Sequence, residues 1–220
     1  MKYDLSELFI SLMGETKYIG YPALFVRVAG CNMSCQWCDT KFSQNLREAK
    51  TYSFAQIIED IKNGPDVIVF TGGEPLFQKN IAFLMEFAKE NKKVVVVYTN
   101  NSILIKPFRK VVDSFSLDFK LKASGMRDRM KIKNLDFLDK KDDLKFVVAN
   151  REDYEEAKKI LEMKAVKSAV KRGTELYMTP ASNHMDPRIL ARWILEDKLW
   201  NVRQGIQMHK VIWGPDIRGV

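Results

Sequence analysis

The sequence predicts an α/β fold, specifically a partial TIM-like barrel of about six βα units. Three observations lead there. Short apolar runs alternate with amphipathic helical patterns, which is how βα units and a parallel sheet covered on both faces read in sequence. Gly72-Gly73 cuts off one of those runs sharply. The 220 residues are too few for a complete eight-fold barrel, which takes roughly 250. A partial barrel or an open doubly wound sheet is left, and in either one the chemistry belongs at the C-terminal ends of the strands.

Taken in order, Tyr21–Val28 is the first clear strand, apolar except for Arg27. Ser53–Lys62 reads as a helix with Ser53 as N-cap and Ile57, Ile58 and Ile61 on one face. Asp66–Phe70 is a short strand. Lys79–Asn91 carries Ile81, Leu84, Met85 and Ala88 at helical spacing. Lys93–Tyr98 is a buried strand. Ile103–Val112 is a weaker helix broken early by Pro107, and Phe115–Phe119 is a strand. The polar stretch Lys120–Lys141 has no defined pattern. Leu144–Val148 is a strand, and Glu152–Met163 is a helix with Tyr154, Ala157 and Leu161 on its inner face. Leu176–Met178 is a short strand. Asp186-Pro187 makes an N-cap and first-turn pair for a helix through Leu195, and Val202–Met208 closes as a strand.

Apolar residues are 46% and charged residues 29% of the chain, values of a globular protein able to bury a core without staples. One domain over residues 1–220 is expected. No apolar run nears the roughly 20 residues of a membrane span, and the N-terminus opens no signal-peptide pattern. The expected location is the cytoplasm. The net charge of +8 suits an anionic partner. The basic residues are dispersed, however, so the reading is a solvated surface with no direct nucleic-acid contact.

All three cysteines, Cys31, Cys35 and Cys38, lie within eight residues, just after the first clear strand. An odd, clustered set is a poor disulfide framework and points to metal or redox chemistry. Three thiolates in C-x3-C-x2-C can hold three irons of a four-iron four-sulfur cluster and leave the fourth iron open. A zinc site completed by His184 or His209 is the competing reading, although structural zinc usually pairs cysteines across two knuckles. Thr71-Gly72-Gly73-Glu74-Pro75 ends the next strand. Its glycines permit close approach of main chain to a ligand, and a carboxylate matches an ammonium.

With these two motifs in place the chain resembles the radical S-adenosylmethionine superfamily. That resemblance implies an open iron chelated by S-adenosylmethionine, reductive cleavage to a 5′-deoxyadenosyl radical, and a GGE loop (Gly72, Gly73, Glu74) holding the methionine amino group. Finer motifs are similar to those of 7-carboxy-7-deazaguanine synthases. Ser6–Thr16 resembles S-E-I-F-x-S-x-Q-G-E-G, Gly20–Asn32 resembles G-x-P-x-x-F-x-R-x-x-G-C-N, and Trp37–Thr40 is W-C-D-T. Thr71–Gln78 is T-G-G-E-P-L-x-Q, and Gln207–Lys210 is Q-x-H-K. The chain departs from the pattern at Met13, where the family has Gln, and at Thr16, where it has Gly. Asp118-Phe119-Lys120 stands in for S-P-K, and Thr179-Pro180-Ala181-Ser182 for a Q-P segment.

The resemblance implies ring contraction of 6-carboxy-5,6,7,8-tetrahydropterin to 7-carboxy-7-deazaguanine with release of ammonia, a lyase step toward deazapurine nucleosides such as queuosine and archaeosine. The implied cofactors are one 4Fe-4S cluster on Cys31, Cys35 and Cys38, S-adenosylmethionine, and magnesium on Thr40. Implied substrate contacts are Leu12, Met13, Gly14, Glu15, Arg27, Thr71 and His209. Implied S-adenosylmethionine contacts are Gly72, Gly73, Glu74, Asp118, Phe119, Lys120, Thr179, Pro180, Ala181 and Ser182. Arg27 suits the substrate carboxylate because a guanidinium gives a carboxylate two parallel hydrogen bonds. An electron donor such as flavodoxin or ferredoxin and a homodimer complete the expectation. The alternatives are a glycyl-radical-enzyme activase, whose expected Cys-x-Tyr-Cys-His-Asn-like ending is absent here, and a non-catalytic zinc or nucleic-acid-binding module.

Overall fold

The computed structural model describes residues 1–220. Nine strands form one sheet: β1 (Lys2–Leu12), β2 (Pro22–Val28), β3 (Lys50–Ser53), β4 (Val67–Gly72), β5 (Val94–Thr99), β6 (Ser114–Asp118), β7 (Asp143–Val148), β8 (Glu175–Pro180) and β9 (Val202–Gln204). Their order is β3-β1-β2-β4-β5-β6-β7-β8-β9. From β2 to β9 every pairing is parallel, while β1 pairs antiparallel with both β2 and β3.

The parallel strands follow one another without reversal. Right-handed crossovers in one direction place every connecting helix on the same face of the sheet. The sheet is therefore a partial barrel and not a doubly wound sheet. Of the two architectures left open, the partial barrel is the one formed: α1 (Phe54–Asn63), α2 (Ile81–Glu90), α3 (Arg151–Leu161), α4 (Lys164–Lys171) and α5 (Pro187–Glu196) lie on its convex side.

Strand alternation divides the side chains accordingly. Leu24, Val26, Ile68, Phe70, Val95 and Val97 face the helices and belong to a 40-residue core. Their neighbours Ala23, Phe25, Val67, Val69 and Val96 form a small inner cluster with Met13. The runs looked uniformly apolar because both faces are buried at the lower end of the barrel. Toward the C-terminal ends the inner positions turn polar, and there the cavity opens.

Helix α1 starts at a full capping box. Ser53 Oγ accepts from Gln56 N, and Gln56 Oε1 accepts from Ser53 N at 2.8 Å. Sequence and structure part at several elements. Ile103–Val112 forms only a short 3-10 turn at Lys106–Phe108; Pro107 lacks an N–H and disfavours helix in the residue before it. The polar Lys120–Lys141 stretch is three 3-10 turns, Lys122–Ser124, Arg127–Arg129 and Ile132–Phe137. The final strand stops at Gln204 rather than Met208, and α6 (Met208–Trp213) follows. Strand β1, edge strand β3 and helix α4 have no counterpart among the elements expected from sequence. No helix is long and apolar enough to cross a membrane.

Candidate active site

One cavity sits at the C-terminal ends of the parallel strands, on the concave side. Cys31, Cys35 and Cys38 all line it, and none is in a disulfide. The cysteine loop leaves β2 and is pinned at its base by the loop after β4. Gly73 N donates to Val28 O and Glu74 N to Gly30 O, both at 3.0 Å. The packing leaves no room for side chains there. A Cβ on Gly72 would lie 2.2 Å from Val28 O, and one on Gly73 2.1 Å from Gly30 O. The glycine pair thus lets two active-site loops touch main chain to main chain.

Burial pushes the Cys31 thiol up and the Cys35 thiol up to about 11. Bound cationic metal offsets that cost by taking the thiolate form. Asn100 Nδ2 lies 3.6 Å from Cys31 Sγ, and the Thr40 hydroxyl 3.7 Å from Cys38 Sγ. Three free thiols on one wall, with N–H and O–H groups beside them, fit the donor set of an iron–sulfur cluster.

Around the rest of the cavity runs a chain of charges. Lys120 Nζ pairs with Asp118 Oδ2 at 2.7 Å. Lys145, on the inner face of β7, pairs with Glu15 Oε2 at 2.7 Å and lies 3.9 Å from Asp118 Oδ2. Glu15 Oε1 accepts from Gln207 Nε2 at 2.8 Å, and that amide also reaches Asp39 Oδ2 at 2.9 Å. Lys210 Nζ lies 3.3 Å from the same Asp39 oxygen. Desolvation opposes ionisation of Glu15, but Lys145 outweighs it and holds the carboxyl below its usual range. At Asp39 desolvation is likewise outweighed, chiefly by Lys210 and Gln207, and the carboxyl is held down at about 2. Lys120 and Lys145 are desolvated too, yet Asp118 and Glu15 respectively keep each of them raised and charged.

Arg27 projects from β2 into the cavity. Its Nε approaches Glu7 Oε2 at 2.7 Å, an ion pair whose N–H is not aligned as a hydrogen bond, and its guanidinium lies 5.7 Å from the Phe9 ring. The segment 205–210 crosses the open side of the barrel. Met208 N donates to Gly14 O at 2.9 Å. Burial lowers the His209 imidazole, favouring its neutral form. His209 lies so close over Gly14 that a Cβ there would stand 2.1 Å from His209 Nδ1.

The structure brings most of the expected residues to this wall: Leu12, Gly14, Glu15, Arg27, the three cysteines, Thr40, Thr71, Gly72, Gly73, Asp118, Lys120, Thr179, Pro180, Ser182 and His209. Four stand off it. Met13 is fully buried in the inner cluster, and its N–H and C=O are taken by Tyr21 O and Gly20 N. That explains how an apolar residue replaces Gln. Glu74 is fully buried beneath its loop and bonds to Leu76 N, Thr99 Oγ1 and Asn100 N. Phe119 faces the helices, 5.9 Å from the Phe146 ring, and Ala181 is buried under the loop after β8. Thr16, where the family pattern has Gly, stands at φ 61, a left-handed conformation that strains a β-branched residue. Sequence reasoning did not single out Lys145, Asp39, Asn100 or Gln207 for the roles they hold. Gln207 and Asp39 lay inside quoted motifs; Lys145 and Asn100 lay in none.

Residues 25–194 match the Radical SAM superfamily, the class that this fold and cysteine loop define. A 7-carboxy-7-deazaguanine synthase from Clostridium acetobutylicum is 35% identical over 100% of both chains. One from Koribacter versatilis is 33% identical over 99% of this chain and 100% of its own. The chain belongs to the 7-carboxy-7-deazaguanine synthase family of that superfamily. The crystal structure of QueE from Escherichia coli shares the fold, with a TM-score of 0.71 over 95% of each chain at 19% identity.

Proposed function

We propose that the chain, acting as one domain over residues 1–220, converts 6-carboxy-5,6,7,8-tetrahydropterin to 7-carboxy-7-deazaguanine and ammonia. The observation that carries the reading is the single cavity in which the three thiols face Arg27, Glu15 and Lys145. Cys31, Cys35 and Cys38 would hold a 4Fe-4S cluster, and S-adenosylmethionine would lie along Gly72-Gly73, Asp118, Lys120, Thr179, Pro180 and Ser182. When bound, that pair supplies one-electron reductive chemistry, fed by a protein carrier such as flavodoxin or ferredoxin.

The chain's own residues do the rest. Arg27 presents its free Nη edge to the substrate carboxylate, since Glu7 occupies the Nε side. Glu15, kept ionised by Lys145, accepts hydrogen bonds from the pterin's guanidine-like edge. Gln207 and His209 close the cavity over the ligand and exclude water, which strengthens both contacts. Thr40 offers a hydroxyl oxygen to magnesium, a hard ion that takes few protein ligands and keeps substrate or water oxygens. Cytoplasmic location and a homodimer belong to this reading.

An anaerobic assay with the tetrahydropterin acid, S-adenosylmethionine and reductant, with and without magnesium, tests it. Product and ammonia are expected from the wild type and neither from Cys35→Ala. Cleavage of S-adenosylmethionine without any deazaguanine product would instead support an activase.

A further inference from the structure

We propose that Asn100 tunes how readily the cluster on Cys31, Cys35 and Cys38 accepts an electron, by donating its side-chain amide to the Cys31 sulfur; this rests on the cluster assignment above. Asn100 follows directly on β5 and is only 9% exposed. Its Nδ2 lies 3.6 Å from Cys31 Sγ and 3.1 Å from Asn32 Oδ1.

The direction of that amide follows from its partners. Asn100 Oδ1 accepts from the main-chain N–H of Ser102 at 3.0 Å and from the Ser102 hydroxyl at 2.6 Å. A main-chain N–H can only donate, so the oxygen must face Ser102 and the NH2 must face the sulfur. Reversing the amide would set an N–H against the Ser102 N–H and an oxygen against both Asn32 Oδ1 and the thiolate. The backbone beneath is equally fixed, because Asn100 N donates to Glu74 Oε2 at 2.7 Å.

Reduction adds negative charge to a cluster and spreads it onto its sulfur ligands. A fixed N–H aimed at one of those sulfurs stabilises the reduced form and raises the potential, and the effect grows where water is excluded. No side-chain N–H approaches Cys35 or Cys38 in the same way; the Thr40 hydroxyl beside Cys38 is free to rotate. The amide therefore singles out one of the three ligands.

The test is a redox titration of the reconstituted protein followed by electron paramagnetic resonance, on wild type, Asn100→Leu, Asn100→Asp and Ser102→Ala. Both Asn100 variants should move the midpoint potential to more negative values, Asn100→Asp further because it places an acceptor where the donor was. Ser102→Ala, which loosens the amide without removing it, should shift it in the same direction and by less. Iron content should stay at the wild-type level. Unchanged potentials in both Asn100 variants would overturn the proposal. Loss of iron from Asn100→Asp would overturn it as well, because the amide would then be supporting the loop and not tuning the cluster. A wild type that binds no iron would reject the cluster assignment itself.

Discussion

The Glu74 carboxylate, buried beneath the loop after β4, binds the main-chain N–H of Asn100 at 2.7 Å and so ties that loop to the end of β5. Its other oxygen accepts from Leu76 N at 3.0 Å and Thr99 Oγ1 at 2.9 Å. Burial pushes its carboxyl up to about 7 despite those three donors. The acidic residue of the GGE motif thus acts here as a strut between loops.

Removing the strut should cost stability before it costs binding. Glu74→Ala leaves three buried donors without a partner and should destabilise the fold by about 3 kcal/mol. Glu74→Gln keeps most of the shape and should cost about half of that. Urea midpoints of the two variants decide it. Wild-type stability in Glu74→Ala would return the side chain to a purely ligand-binding role.

Arg27 should not tolerate lysine. A guanidinium can hold Glu7 on one edge and a substrate carboxylate on the other, and an ammonium cannot reproduce that fork. Arg27→Lys should weaken substrate binding by roughly 10- to 150-fold, equivalent to about 1.5–3 kcal/mol, with S-adenosylmethionine binding little changed. Paired titrations check this, and equal losses for both ligands would mark Arg27 as a support for the strand end.

Gly14→Ala should displace the segment that crosses the barrel opening, because the new Cβ would fall 2.1 Å from His209 Nδ1. Proteolysis within residues 205–213 should speed up and KM should rise, while the far side of the barrel stays as protected as before in hydrogen exchange. Adding His209→Ala should recover part of the lost protection, a non-additive pair. No change in proteolysis would show that the two segments separate freely.

Asp143 supplies a pH dependence. It is 1% exposed, and its Oδ1 has no hydrogen-bond partner. Burial, opposed by Lys17 and reinforced by Glu175, pushes its carboxyl up to about 7. Between about pH 4 and 7 the folded protein therefore holds a proton that the unfolded chain has released. The stability present below that window is lost as pH rises through it. Asp143→Asn does not titrate, so its advantage over wild type should grow from pH 5 to pH 8, reaching about 1–3 kcal/mol. Equal advantages at the two pH values would assign the titration to another group.

What the sequence revealed depended on distance along the chain. Cys31, Cys35 and Cys38 are eight residues end to end, and Gly72-Gly73-Glu74 is contiguous, so their geometry survives in the spacing. Lys145 gave no such signal: its partner Glu15 is 130 residues away, and a lone lysine in an apolar strand looks like an edge position. Asn100 was masked in the same way by the run of valines before it. Periodicity located α1, α2, α3 and α5, but not α4, because their inner faces repeat every three to four residues. It failed at Ile103–Val112, where Pro107 overrides apolar spacing, and at Met208–Trp213, where a six-residue helix is too short to show a period. Antiparallel β1 escaped because its exposure is irregular along the strand.

The unbroken order of the parallel strands bears on how the molecule is made. Among β2 and β4 to β9, position along the chain maps onto position around the barrel, so the two segments that meet across its opening lie far apart in synthesis: Glu15 and Gln207 are 192 residues apart. Most of the sheet can assemble from neighbours as it emerges, each βα unit docking on the last. The contact between residues 14–15 and 207–209 cannot form until nearly everything between them is in place, and closing so long a loop is intrinsically slow. The cysteine loop is thus translated early and roofed late.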